Sequence, residues 1–303
     1  KTFGIYTLGC KLNFSESASM LEFFYDADYK KVQFSAKADV YLINTCSVTA
    51  NANKKSRNAI ARASKTNPDA LIIVTGCYAQ LSSSEMREKT GVDYVIGINE
   101  KDELRNILQN PVKLENTKVF CSDYKDMQSF FPSYKLGNRT RAFLKIQDGC
   151  DYFCSYCTIP YARGRSRNQS IADTIQQIKE IAKANVKEIV LTGVNVGDFG
   201  KSTGESFQNL LKQIVKIDGI ERYRIGSIEP DLLDEEIIKI AASEEKIMPH
   251  VHLPLQSGSD DMLKLMRRKY DTILFQKKTE TIKKKLPNAF IGTDVITGVN
   301  GET

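Results

Sequence analysis

No stretch of the 303 residues approaches the roughly 18 consecutive apolar residues a membrane helix needs, so neither a bilayer span nor a membrane tether is expected. Histidine occurs only twice, at positions 250 and 252, so none is available to a metal site in the first half. Internal repeats and low-complexity tracts are missing, as is a signal peptide: Lys1-Thr-Phe-Gly-Ile-Tyr runs straight into a strand-like pattern. The numbering also lacks an initiator Met, and a trimmed N-terminus is expected. Charge of one sign does not dominate. With 43 basic and 37 acidic residues the net +6 does not by itself announce nucleic acid. Seven cysteines make an odd set, a poor basis for a disulfide framework, and with no signal peptide they point to the reducing cytoplasm.

Local charge says more than the total. Between Asp39 and Asp69 no acidic residue occurs, yet Lys54, Lys55, Arg57, Arg62 and Lys65 all do. Between Asp151 and Asp173 the same holds, with Arg163, Arg165 and Arg167 at alternate positions, and a third basic run covers Lys264–Lys269. Each alone reads as a solvated face. Two of them beside candidate catalytic cysteines point to a polyanionic substrate.

Apolar runs at Phe3–Leu8, Asp39–Asn44, Ala70–Thr75 and Asp93–Gly97 read as strands, and Ser15–Tyr25, Asn51–Ser64 and Ser83–Lys89 as helices. This alternation predicts an α/β fold with a doubly wound parallel sheet over residues 1–112. Lys113–Asn138 reads as an irregular linker. From 139 to 303 strands are expected at Ala142–Gln147, Glu188–Thr192, Tyr223–Ser227, Val251–Leu255 and Phe290–Ile296, with longer crossovers, as in a partial (β/α) barrel.

Cys10, Cys46 and Cys77 share one context: an apolar strand, a small turn pair, then the cysteine. In a parallel sheet all strand C-termini lie along one edge, where open α/β folds place ligands. A nearby helix start favours the thiolate. Three thiolates without a fourth ligand suit a 4Fe–4S cluster with one open iron; the alternative is three buried cysteines packing as small hydrophobes. Gly149-Cys150-Asp-Tyr-Phe-Cys154-Ser-Tyr-Cys157 follows the first strand of the second half and offers three thiolates from one loop. A cluster with an open iron is again expected. A zinc knuckle would need His250 or His252 as its fourth ligand.

These motifs resemble the radical S-adenosylmethionine (SAM) methylthiotransferase family. The resemblance is carried by Gly149–Pro160, Tyr161-Ala-Arg-Gly-Arg-Ser166, Leu191-Thr-Gly-Val-Asn195, Ser227-Ile-Glu-Pro230, His252-Leu-Pro-Leu-Gln-Ser-Gly-Ser259 and Ile291-Gly-Thr-Asp-Val-Ile296, and extends over the whole chain. Thr7-Leu-Gly-Cys-Lys-Leu-Asn13 resembles the branch acting on N6-threonylcarbamoyladenosine beside the tRNA anticodon; Lys11 stands where the isopentenyladenosine branch usually has Gln. The family implies two 4Fe–4S clusters, one held by Cys150, Cys154 and Cys157 that cleaves SAM, and an auxiliary one at Cys10, Cys46 and Cys77 that delivers sulfur. It implies Tyr156 packed near the adenine of SAM and Gly193 and Asn195 at its amino group. Ser227, Glu229, Gln256 and Asp294, at or past strand ends, are further cofactor candidates. Partners implied are the tRNA anticodon loop, with Lys54, Lys55, Arg57, Arg163, Arg165 and Arg167 as candidate contacts, and an electron donor such as flavodoxin or ferredoxin. The radical formed from SAM takes the hydrogen from carbon 2 of the adenine, and a methylthio group replaces it. Siblings of the same chemistry modify isopentenyladenosine or a ribosomal protein. A non-catalytic metal-binding RNA module is the rival of another class. The family's sixth barrel strand and its C-terminal tRNA-binding β-barrel are expected to be missing, and Gly298-Val-Asn-Gly-Glu-Thr303 departs from the family's usual Phe-Pro before Gly-Glu-Thr.

Overall fold

The computed structural model describes residues 1–88, 91–135 and 141–302. The chain forms two compact units, Lys1–Lys135 with Thr158–Arg165, and Leu136–Cys157 with Ser166–Thr303.

The first unit runs β1 (Thr2–Thr7), α1 (Lys11–Asp26), β2 (Lys30–Val32), β3 (Val40–Thr45), α2 (Ala50–Thr66), β4 (Leu71–Gly76), α3 (Cys77–Leu81), α4 (Ser83–Glu88), β5 (Tyr94–Ile96), α5 (Glu103–Gln109), β6 (Lys118–Phe120) and β7 (Ser133–Lys135), and it includes α6 (Ile159–Arg163). Its six-stranded sheet has the order β2-β1-β3-β4-β5-β6, all parallel. Every residue of β3 and β4 is buried, because helices cover both faces. Alternate side chains sort accordingly. Leu42 and Ile73 pack with Met20, Phe24, Leu104 and Ile107 from α1 and α5, whereas Tyr41, Ile43, Ile72 and Val74 pack with Ala59, Ile60 and Ala63 of α2. The chain leaves β1 towards β2 on one side and returns to β3 on the other, so the order reverses between β1 and β3. That switch point opens a crevice at the strands' C-terminal ends.

The second unit holds β8 (Arg141–Lys145), β9 (Gln147–Asp148), β10 (Arg167–Asn168), α7 (Ile171–Lys183), β11 (Glu188–Thr192), α8 (Phe207–Ile214), β12 (Arg222–Ile225), α9 (Glu235–Ser243), β13 (His250–His252), α10 (Asp260–Leu265), α11 (Thr272–Lys285) and β14 (Phe290–Gly292). Parallel pairing links β8 to β11, β11 to β12 and β13 to β14, and parallel bridges Tyr223–Ile247 and Ser227–His252 continue it from β12 to β13. The result is an open arc of five parallel strands; among the described residues it does not close. Helices α7 to α11 each begin at a Ser or Asp, namely Ser170, Ser206, Asp234, Ser259 and Asp271, whose side chain accepts a first-turn amide. Such caps supply an acceptor that the helix backbone lacks, worth about 1 kcal/mol each.

Two expectations need correcting. The supposed linker from Lys113 is built into the first unit as far as Lys135, contributing β6 and β7; positions 136–138 lie outside the described residues, as does Lys89 at the end of the expected third helix. Helix α6, expected in the second domain, belongs to the first unit, where it packs on α3.

Candidate active site

The first cysteine set sits at the switch point. Cys10 caps the N-terminus of α1, Cys46 follows β3, and Cys77 opens α3 directly after β4. The pairings Thr7–Asn44 and Thr45–Gly76 bring these ends side by side. A Cβ placed on Gly9 would lie 3.1 Å from Cys46 Sγ, so the turn bearing Cys10 packs against Cys46. Gly76 has φ +96°, and a Cβ there would lie 2.3 Å from Thr45 O, so only glycine leads β4 into Cys77. Buried Asn13 binds the ends together: Nδ2 donates to Leu8 O at 2.8 Å and to Thr45 O at 2.9 Å. Thr45 Oγ1 in turn donates to Thr75 O at 2.6 Å and accepts from Ala79 N at 3.0 Å.

Beneath the cysteines lies a buried charge cluster. Glu16 takes Arg163 in a two-pronged pair at 3.0 and 3.2 Å and Lys101 Nζ at 3.2 Å, with all three side chains at most 1% exposed. Arg163 also donates to Asn13 Oδ1 at 2.7 Å. Arg163 is thereby corrected as a phosphate contact: it is wholly buried, turned inward by α6. Burial, the leading cause, pushes the Cys77 thiol up to about 11, against a smaller lowering by Arg163.

The second set lies in the loop after β9. Gly149 at φ +71° and Phe153 at φ +49° curl the chain, and Cys157 N donates to Cys154 O at 3.0 Å. Gln147, fully buried, holds the loop's base: Nε2 donates to Gly149 O at 2.8 Å and to Ser166 Oγ at 3.0 Å, while Oε1 accepts from Asn195 N at 2.9 Å. Burial, the leading cause, pushes Cys150 up to about 12. Arg268 is the residue that sequence reading misses. It stands in a basic run that reads as solvated, yet its side chain is 2% exposed, donates to Cys154 Sγ at 3.0 Å and to Tyr156 Oη at 3.3 Å, and pairs with Glu229. Its guanidinium lies over the rings of Tyr152 and Tyr270, 5.9 and 4.9 Å from their centroids.

The other candidates fall around the arc's C-terminal edge. Gly193 is half-buried, and a Cβ there would lie 2.8 Å from Gln147 Oε1. Asn195 is 2% exposed, with Oδ1 accepting from Glu229 N at 3.3 Å and Nδ2 donating to Asp198 at 3.4 Å, so its carboxamide shapes the loop. Ser227 Oγ lies 2.8 Å from His252 Nδ1, and His252 Nε2 lies 3.2 Å from Asp294 Oδ2. Gln256, at φ +67°, bonds Asp294 through its backbone at 2.8 Å. Lys54, Lys55 and Arg165 are exposed. Arg57 is half-buried and donates to Tyr78 Oη at 2.9 Å. Arg167 is buried in β10 and paired with Asp148 at 3.6 Å, which corrects it as a phosphate contact.

Each set offers three cysteine sulfurs, the donor that iron–sulfur clusters take. Among the described residues no three His, Cys, Asp or Glu side chains gather closely enough to share one metal ion. Both ring nitrogens of His252 are engaged, and His250 stacks on Phe290 with ring centroids 5.4 Å apart.

Comparisons with known proteins agree with this geometry. The Radical SAM superfamily profile matches residues 144–303, and residues 2–97 match the uncharacterized protein family UPF0004. Solved structures with similar folds include the radical S-adenosylmethionine methyltransferase TsrM of Kitasatospora setae, with TM-score 0.71 and 14% identity over 100% of this chain and 68% of that one. The cobalamin-dependent radical enzyme OxsB also aligns, at TM-score 0.62 and 13% identity over 97% of this chain and 48% of its own. At such identity they establish the fold alone. Threonylcarbamoyladenosine tRNA methylthiotransferases of Bacillus subtilis and Aquifex aeolicus are each 39% identical, covering 100% and 98% of this chain and 68% and 73% of their own length. A tRNA-2-methylthio-N6-dimethylallyladenosine synthase of Sulfurihydrogenibium is 35% identical over 99% of this chain and 69% of its own. The fold and the cysteine loop are those of a radical SAM enzyme. More narrowly, the chain belongs to the radical SAM methylthiotransferases, which work with SAM and two 4Fe–4S clusters.

Proposed function

We propose that this chain methylthiolates carbon 2 of N6-threonylcarbamoyladenosine beside the tRNA anticodon. The observation that carries the reading is the pair of three-cysteine sets, each at the C-terminal edge of its own parallel sheet. The choice of base is supported by relatives of that activity at 35–39% identity, against 33–35% for the dimethylallyladenosine synthases. Cys150, Cys154 and Cys157 would hold the SAM-cleaving cluster, and Cys10, Cys46 and Cys77 the auxiliary one. When bound, these cofactors supply an electron for reductive cleavage of SAM and a sulfur for the product.

The remaining work falls to side chains. Gln147 and Asn195 fix the loop that carries Cys150 and the turn that carries Glu229. Arg268 keeps a cation against Cys154 and Glu229 while excluding water from them. Gly193, Ser227, Gln256 and Asp294 present the strand ends on which SAM would lie, with Tyr156 beside its adenine. Exposed Lys54, Lys55 and Arg165 would meet the RNA backbone. A base in a single-stranded loop can be splayed into such a site at modest cost. A flavodoxin or ferredoxin would provide the electron in the cytoplasm; no described helix is long and apolar enough to cross a membrane.

The test is nucleoside mass analysis of tRNA from cells lacking the gene. Loss of the methylthio group from threonylcarbamoyladenosine alone is the expected result. Loss from isopentenyladenosine would move the chain to the sibling activity, and an unchanged nucleoside profile would overturn both.

A further inference from the structure

The end of α10 is fastened to the second cysteine set from inside. Ser155 N donates to Met266 O at 3.2 Å, and Arg268 Nη1 donates to Cys154 Sγ at 3.0 Å. Between those contacts the chain reverses. Arg267 stands at φ +59°, Arg267 N donates to Lys264 O at 2.9 Å, and Arg268 N donates to Leu263 O at 2.8 Å. A left-handed residue with this pair of bonds closes a helix and turns the chain sharply. Met266 and the Arg268 side chain are thereby buried, at 0% and 2% exposure, while Lys264, Leu265, Arg267 and Lys269 meet solvent.

The outer side of this turn is one apolar side chain among cations. Leu265 is 51% exposed, with Lys264, Arg267 and Lys269 beside it in the chain. Lys269 Nζ lies 4.1 Å from the centre of the Tyr152 ring, inside the cysteine loop. Of the neighbouring acids, Asp260 accepts from Thr272 N at 2.8 Å and Asp271 from Leu274 N at 2.7 Å, and Asp261 lies a turn back from Lys264. An exposed aliphatic contact with a cationic rim suits an acidic protein. Single-stranded RNA takes aromatic platforms instead, and none of these four side chains is aromatic.

We propose that Lys264, Leu265, Arg267 and Lys269 form the docking surface for an acidic one-electron donor protein of the flavodoxin class. This rests on the reading of Cys150, Cys154 and Cys157 as ligands of the SAM-cleaving cluster. A donor seated here is one turn of chain and one hydrogen bond from a ligand sulfur. Its anionic flavin hydroquinone loses one electron and keeps its proton, the cluster gains that electron, and no bond forms or breaks. Opposite charges guide the encounter, and salt screens them.

The experiment uses the full chain, reconstituted anaerobically with iron and sulfide, with flavodoxin as the probe. The parent, the double variant Lys264→Glu with Arg267→Glu, and Leu265→Ser are compared for flavodoxin affinity at low and high salt. Release of 5′-deoxyadenosine is measured with reduced flavodoxin and, separately, with dithionite, which needs no docking; tRNA affinity is measured in parallel. The charge reversal should weaken flavodoxin binding about tenfold at low salt and less at high salt. Leu265→Ser should weaken it at both. Flavodoxin-driven cleavage should fall in each variant, with dithionite-driven cleavage and tRNA affinity unchanged. Should the double variant fail to fold by circular dichroism, Leu265→Ser decides. Unchanged flavodoxin affinity in the folded variants overturns the proposal, and weaker tRNA binding in its place makes the surface an RNA contact. A parent that cleaves SAM with dithionite but binds no flavodoxin overturns the proposal alone. A parent that cleaves none even with dithionite overturns the cluster reading, and the proposal with it.

Discussion

Replacing Glu16 by Gln keeps the side chain's volume and removes its charge. In the native chain its carboxylate takes Arg163 through both Nη atoms and Lys101 through Nζ, at 3.0, 3.2 and 3.2 Å, in a region at most 1% exposed. Removing one partner of a buried pair typically costs about 3–5 kcal/mol, because the remaining charge stays desolvated. Against a typical stability of about 5–15 kcal/mol this is a large loss. At roughly 2–4 °C per kcal/mol for a domain of this size, the first unit's melting temperature should fall by about 6–20 °C. Asp26→Asn is the control. It removes the pair with Arg105 at 3.2 Å, whose side chains are 63% and 50% exposed, and should cost about 0.2–1 kcal/mol. The assay is anaerobic calorimetry of the metal-free chain, with hydrogen exchange in β3 and β4 assigning the transition to the first unit. If Glu16→Gln melts no lower than Asp26→Asn, the charge cluster is hydrated in solution and the electrostatic reasoning fails.

The two cysteine sets should fail differently. Cys154→Ala should abolish reductive SAM cleavage, whereas Cys46→Ala should still release 5′-deoxyadenosine under dithionite but form no methylthiolated tRNA; product from Cys46→Ala would refute the division of labour. Cys121→Ser should keep full iron, although Cys121 follows β6 at a strand end, because it stands two strands from Cys77, where burial and Glu100 push its thiol up to about 12. Loss of one cluster's iron in that variant would make it a ligand. Lys54→Ala with Lys55→Ala should weaken tRNA binding and lower the salt slope by roughly 0.7–0.9 for each phosphate left unneutralised, and an unchanged slope would make them ordinary solvated lysines.

The placement of the cysteines is legible because it is written locally: a strand, a turn and a thiol, or three thiols in one loop. Parallel pairing then does the rest, since it puts every strand's end on the same edge. The charged residues are not legible, and the reason is the same in each case. Arg163, Arg165 and Arg167 alternate, which suggests one common face, but a helix ends at Arg163 and β10 begins at Arg167, so the three point to different places. Two are buried because acids distant in sequence or folded beside them, Glu16 for Arg163 and Asp148 for Arg167, wait inside. Arg268 is hidden among Lys264, Arg267 and Lys269 for want of its partner, Glu229, which lies on another strand's end. A basic run records where cations occur in the chain; only tertiary pairing decides which of them meet solvent. The cations proposed to meet RNA are therefore those that the fold keeps outside, Lys54, Lys55 and Arg165.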